Sequence, residues 1–312
     1  MVRVAWIAAA ARSAAGASAL LVLAACSRDA QPSDDRGAVP QPGDRAAARP
    51  HYDAAAAAMA RGDEGSALTE VDRALELDPA HAPARVLRAV LRARPGPRLD
   101  PGVAAADLAA ARALGVDPET VGTFEGLVRF QLGDAAAAQP LLEAAWARPA
   151  AETDETTRAD VALALGELDF RRGDLDAAQR WFVKSRALLP GHPAPCEALA
   201  RLALERGDAA EEERWLDAAI AVQPRSVAAR CARAQLYART GRVEEAARER
   251  EIHAILRQFG DDESAGFAQD HARRAALWQR LAELLPGDES VRLDAARERA
   301  QAPRPPAAGD RP

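Results

Sequence analysis

Residues 159–190 read ADVALALGELDFRRGDLDAAQRWFVKSRALLP, and residues 193–224 read PAPCEALARLALERGDAAEEERWLDAAIAVQP. The two stretches align without a gap. Each holds a Gly-Asp step, at Gly173-Asp174 and Gly207-Asp208, between two apolar runs of helical spacing, and each closes on a proline, Pro190 or Pro224. Glycine after a helix supplies the left-handed residue that ends it, and aspartate caps the helix that follows. The residue before a proline is steered away from the α region, so the proline ends the second helix. The unit is therefore helix, tight turn, helix, stop.

The same punctuation runs outward in both directions. Arg61-Gly62-Asp63, Leu132-Gly133-Asp134 and Thr240-Gly241-Arg242 are further turns, and Gly173, Gly207 and Gly241 fall 34 residues apart. Pro101-Gly102 fills the gap between Gly62 and Gly133 as an expected turn. Pro79, Pro118, Pro149, Pro190 and Pro224 are the expected stops, each preceded five residues earlier by a small residue: Ala74, Ala113, Ala144, Ser185 and Ala219. Composition agrees. The 312 residues are about a quarter alanine, with 4% aromatics, one lysine (Lys184) and no asparagine, a helix-forming mixture poor in β-branched residues. An all-β or mixed fold is excluded, and a net charge of −6 without a basic block gives nucleic-acid binding no support.

This pattern resembles the tetratricopeptide repeat (TPR), a helix–turn–helix unit of 34 residues. The resemblance covers roughly residues 51–259, although the family's aromatic near the start of the first helix is replaced by His51, Ala162, Cys196 and Arg230, with Phe124 the exception. It implies an all-α fold: an α-solenoid of about six TPR helix–turn–helix repeats over 51–260, followed over 261–300 by degenerate TPR-like and capping helices. One helix pair cannot bury its apolar face alone, so only a stack has a continuous core. After Gly241 a long helix is expected through Phe259, then an acidic turn, Asp261-Asp262-Glu263.

The termini read differently. Arg3 and Arg12 bracket a positive segment, Ala14–Ala25 is apolar but short for a membrane span, and Leu23-Ala24-Ala25-Cys26 follows. That order resembles a bacterial lipoprotein signal peptide ending in a lipobox. It implies removal of residues 1–25, acylation of Cys26 and a mature charge of −8. Ser27 after the cysteine points to the outer rather than the inner membrane, with the chain facing the periplasm. Residues 26–50, rich in Pro, Asp, Gly and Arg, read as a tether, and residues 301–312 as a second disordered end.

No nucleophile elbow, Walker loop, dinucleotide fingerprint or His-Glu-x-x-His motif occurs. Neither a cofactor nor a metal is expected. His81 and His192 read as solvated turn residues, and Cys196 and Cys231 as free thiols, because neighbouring helix axes lie too far apart for a disulfide. Three Arg-Gly-Asp triplets read as repeat turns. In TPR arrays peptides lie along the first helices. Glu125, Arg129, Glu167, Phe170, Arg171, Glu197, Arg201, Glu205, Gln235 and Arg239 are the candidate groove residues here. Arg/Glu mixtures suit an extended peptide, whereas Glu125–Arg129, Glu167–Arg171 and Glu197–Arg201 also have the spacing of pairs within one helix. The reading is a non-catalytic scaffold that contacts other envelope proteins. Trp146, Trp181, Trp215 and Trp278 are expected at core positions, which disfavours the alternative of a glycan- or ligand-binding accessory subunit. A self-associating spacer is the third class.

Overall fold

A computed structural model describes residues 43–60, 63–93, 98–150, 153–264 and 271–301. Cys26, the segment before it and most of the expected tether lie outside the described residues, as does nearly all of 301–312. Among the described residues there are fourteen helices and no strand. They are α1 (Arg45–Ala60), α2 (Glu64–Leu77), α3 (Ala82–Arg92), α4 (Pro101–Ala113), α5 (Pro118–Gln131), α6 (Ala135–Ala147) and α7 (Glu155–Arg172). The remainder are α8 (Leu175–Leu188), α9 (Pro193–Arg206), α10 (Ala209–Val222), α11 (Val227–Arg239), α12 (Val243–Ser264), α13 (His271–Leu284) and α14 (Glu289–Gln301). They form seven successive pairs of the TPR type, and the fold class is the α-solenoid. The chain divides into two compact units, one ending at Leu202 and the other beginning at Ala203, within α9.

The turns are built as the sequence requires. Gly133, Gly173, Gly207 and Gly241 have φ between 73° and 84°, a conformation costly to any residue with a Cβ. The aspartate that follows accepts a backbone N–H of the second helix: Asp134 from Ala137 at 3.1 Å, Asp174 from Ala177 at 2.9 Å, Asp208 from Glu211 at 2.9 Å. Asp63 and Asp100 cap α2 and α4 in the same way. The Arg-Gly-Asp triplet at 206–208 is thus a helix stop, a left-handed turn and a cap, and the same holds at 172–174.

Counted from these five aspartates, the second helices share one buried stripe. Four residues on stand Ala67, Ala104, Ala138, Ala178 and Glu212; eight on, Val71, Leu108, Leu142, Phe182 and Leu216; eleven on, Ala74, Ala111, Ala145, Ser185 and Ala219. All fifteen are buried. Eight residues before Asp63, Asp134, Asp174 and Asp208 the first helices carry the small Ala55, Gly126, Gly166 and Ala200, and in the α3/α4 pair the same position is Arg92. The closest approach is in the α7/α8 pair, where a Cβ on Gly166 would stand 2.5 Å from the Phe182 ring.

Five expectations are corrected. Pro118 does not stop a helix; it is the first residue of α5, where its missing N–H costs nothing, and Gly115 (φ 83°) ends α4 instead. Pro101 and Gly102 are likewise the first turn of α4, behind the cap Asp100. Ala144 is exposed and Ala113 half-buried, because the buried small residues keep step with the cap, at Ala145 and Ala111, and not with the proline. The expected tether is shorter, since α1 begins at Arg45, carries Pro50 and buries Ala48 completely. Asp261-Asp262-Glu263 is no turn but the end of α12.

The Gly166 contact makes a direct test. Gly166→Ala should destabilise the chain by about 1–3 kcal/mol through overpacking against Phe182. Gly122→Ala, in a helix with nothing within 4 Å of the new Cβ, should be stabilising by roughly 0.5–1 kcal/mol. Urea unfolding followed by circular dichroism reads both.

Candidate interaction surface

The candidate groove residues divide into those that pack and those that face solvent. In the first unit, Glu125 accepts from Arg129 Nε at 3.0 Å and from Arg112 at 3.1 Å. The Arg129 hydrogen bond is the main reason its carboxyl is held below the usual range. Arg171 is exposed, with its guanidinium 4.9 Å from the centre of the Phe130 ring. Glu167, Glu197 and Arg201 are buried, against the expectation of a solvated groove lining. Glu167 does not pair with Arg171 along its own helix; it forms a buried ion pair with Arg201, its counterpart 34 residues on. The Arg201 guanidinium also covers the half-buried Phe170 ring at 4.8 Å.

In the second unit Glu205 and Arg239 are exposed and Gln235 is half-buried, donating to Cys231 Sγ at 3.5 Å. Arg239 reaches Glu212 Oε2 at 2.6 Å. Glu212 stands where the four other capped helices have alanine, and burial pushes its carboxyl up despite that arginine. Cys196 is buried, Cys231 half-buried, and both are free thiols.

Sequence reasoning missed a set of polar clamps between the two helices of a pair. In α3/α4, Asp107 accepts from Arg85 at 2.8 Å and Arg88 at 2.6 Å, while Arg88 also reaches Asp72 and Arg85 Nε donates to the Pro79 carbonyl. In α11/α12, Glu249 accepts from Arg230 at 3.1 Å and Arg233 at 2.6 Å. There Arg233 also reaches Asp217, and Arg230 Nε donates to the Pro224 carbonyl. Arg85, Arg88, Asp72 and Pro79 are each 145 residues before Arg230, Arg233, Asp217 and Pro224. That shared offset was the available signal. His51, which also stands where the family has its aromatic, bonds Glu70 at 2.7 Å in α1/α2. His271 and Arg274 grip Glu298 in α13/α14.

The histidines in turns are structural. His81 is buried, caps α3 by accepting from the Ala84 N–H, and lies against Tyr52 with ring centres 5.0 Å apart. Burial lowers its pKa, as it does for the half-buried His192. Neither is a solvated turn residue. Trp278 is in the core, but Trp146, Trp181 and Trp215 are only half-buried. Among the described residues no cluster of His, Cys, Asp and Glu has the geometry to hold a metal ion, and no helix is long and apolar enough to cross a membrane.

No protein-family model and no curated protein sequence matches the chain. Solved structures do. Pseudomonas aeruginosa pilF is 18% identical with a TM-score of 0.47, over 82% of this chain and 99% of that one. PilW, a type IV pilus biogenesis factor, is 15% identical with a TM-score of 0.48, over 79% and 97%. The human IFIT1 dimer with m7Gppp-AAAA is 13% identical with a TM-score of 0.54, over 82% of this chain and 59% of that one. The IFIT1 match shows a shared fold of helix pairs.

Glu212 gives a pH test with a definite sign. A carboxyl whose folded pKa is raised stabilises below its ordinary value, 4.5, and the benefit is lost as pH rises through the folded value. Glu212→Gln, which cannot ionise, should therefore gain stability over the parent between about pH 4 and pH 7 and match it more closely at the acid end. Denaturation midpoints across that range check the sign, and a gap that widens toward acid contradicts it.

Proposed function

We propose that this chain is a bacterial lipoprotein, anchored through an acylated Cys26 and facing the periplasm, most simply at the outer membrane. Its TPR-type helix pairs serve as a non-catalytic scaffold for other envelope proteins. The observation that carries the reading is the conjunction of a lipobox-like Leu23-Ala24-Ala25-Cys26 with helix pairs whose first helices keep polar side chains in solvent after their packing is satisfied. Glu125, Arg129, Phe170 and Arg171 in the first unit, and Glu205, Gln235 and Arg239 in the second, are the exposed or half-buried candidates for contact. Buried Glu167, Glu197 and Arg201 belong to the frame that holds them. Mixed charge on rigid helices suits recognition of an extended peptide through charge-assisted hydrogen bonds.

Two measurements test the proposal. Cys26→Ser should prevent acylation, seen by mass spectrometry of the chain's N-terminal peptide. In a pull-down from solubilised envelope, Arg171→Ala combined with Arg239→Ala should reduce partner retention at least several-fold, in a chain that circular dichroism shows to be still folded. A chain that is not acylated at Cys26, or one whose double variant retains the same partners in the same amounts, contradicts the corresponding half of the proposal.

A further inference from the structure

The arginines of this chain are, for the most part, engaged with carboxylates, as the clamps show. Among the described residues, two cations without an acid partner stand together on one pair of indoles, Arg158 and Lys184. Trp146 of α6 and Trp181 of α8 meet edge to face with ring centres 5.1 Å apart. Lys184 Nζ lies 3.9 Å from the Trp181 ring centre and 5.2 Å from that of Trp146, and the Arg158 guanidinium lies 4.4 Å from Trp146. Arg158 donates to the Arg148 carbonyl. Among the described residues, no carboxylate lies within ion-pair distance of Lys184, Arg158 or the exposed Arg180 on α8. Val183 beside them is 48% exposed.

From this geometry we infer a docking site for an acidic protein segment, centred on the indoles of the second helices α6 and α8. The inference rests on the scaffold reading above. Two cations without acid partners, set on two indoles that meet edge to face, are complementary to a carboxylate-rich partner. Tryptophan and arginine are the residues in which binding energy concentrates at protein interfaces. A membrane surface fits less well: Lys184 and Arg158 already cover ring faces of the indoles, which removes the apolar faces that would enter a lipid interface. The edge-to-face rings instead hold the cations at fixed positions, so little side-chain entropy is lost when a carboxylate arrives.

Lys184 is the only lysine in the chain, so its amine is the only one besides the N-terminus, and peptide mapping separates the two. The full chain is mixed with a synthetic peptide of Glu, Asp and Leu, and with its Gln/Asn counterpart, and treated with a carbodiimide that joins amines to carboxylates. The acidic peptide should become linked at Lys184. Its affinity, read by fluorescence anisotropy at low salt, should fall at least tenfold in Lys184→Glu and in Arg158→Gln, and persist in Lys184→Arg. Equal binding of the neutral peptide, unchanged binding by Lys184→Glu, or Lys184-dependent sedimentation with phosphatidylglycerol vesicles in the absence of peptide binding would overturn the proposal. Arg171→Ala with Arg239→Ala leaves this patch intact. Normal peptide binding by that variant therefore separates the fate of this site from that of the scaffold reading.

Discussion

An aspartate side chain accepting the third N–H of a helix is the contact from which the rest of this fold is set. A cap fixes where a helix begins, and with about 100° of rotation per residue it thereby fixes which residues face the partner. Positions four, eight and eleven beyond the cap fall within roughly 60° of one another on the helix surface. In all five capped second helices those positions are buried, and all but Glu212 are apolar or small. The chain has no asparagine, so aspartate carries nearly all of this work, at Asp117 and Asp154 as well as in the Gly-Asp turns. The glycine before it has a separate duty, reversing the chain in a left-handed conformation.

Once the register is set, ion pairs tie together the two helices of several pairs. His51 and Arg230, at the position of the family's aromatic, grip Glu70 and Glu249. In the two pairs where Ala162 and Cys196 stand at that position, the second helix brings Trp181 and Trp215 seven residues after its cap, the place Glu70 and Glu249 occupy elsewhere. A buried ion pair is weak evidence of added stability, because desolvation offsets much of the attraction, but an unpaired charge left behind is costly. The clamps at Asp107 and Glu249 therefore act most strongly against mispairing. An alanine-rich helix has few bulky side chains to define its partner, and two arginines converging on one acid define it instead.

This also explains what the sequence disclosed. Turns and caps are local, so the Gly-Asp steps revealed helix ends and pairing, and the 34-residue spacing revealed the repeat. Prolines were read less well, since the same residue stops a helix at Pro79, Pro149, Pro190 and Pro224 but starts one at Pro118; the difference lies in Gly115, which had already ended α4. Counting back from proline misplaced Ala144 for the same reason, because α6 reaches its proline one residue sooner. Among the surface candidates, Glu125–Arg129 lies within one helix and was legible. The partner of Glu167 is Arg201 on the next first helix, a contact no spacing rule within a helix encodes.

The division of labour among positions bears directly on function. Core positions counted from the cap vary only within a narrow range of size, since packing tolerates little change in volume. Positions that face solvent from the first helices, and the α6/α8 ridge with its two indoles, are free of that constraint. Arginine suits both settings: its planar fork takes two carboxylate oxygens at a clamp, and its flat face covers an aromatic ring at the surface. With one lysine among 41 basic residues, arginine identity by itself signals nothing, and the informative distinction is whether a cation already has an acid. Where it has, as at Arg88, Arg201 and Arg233, the side chain holds helices together. Where it has none, at Arg158, Arg180 and Lys184, its charge is available to a partner.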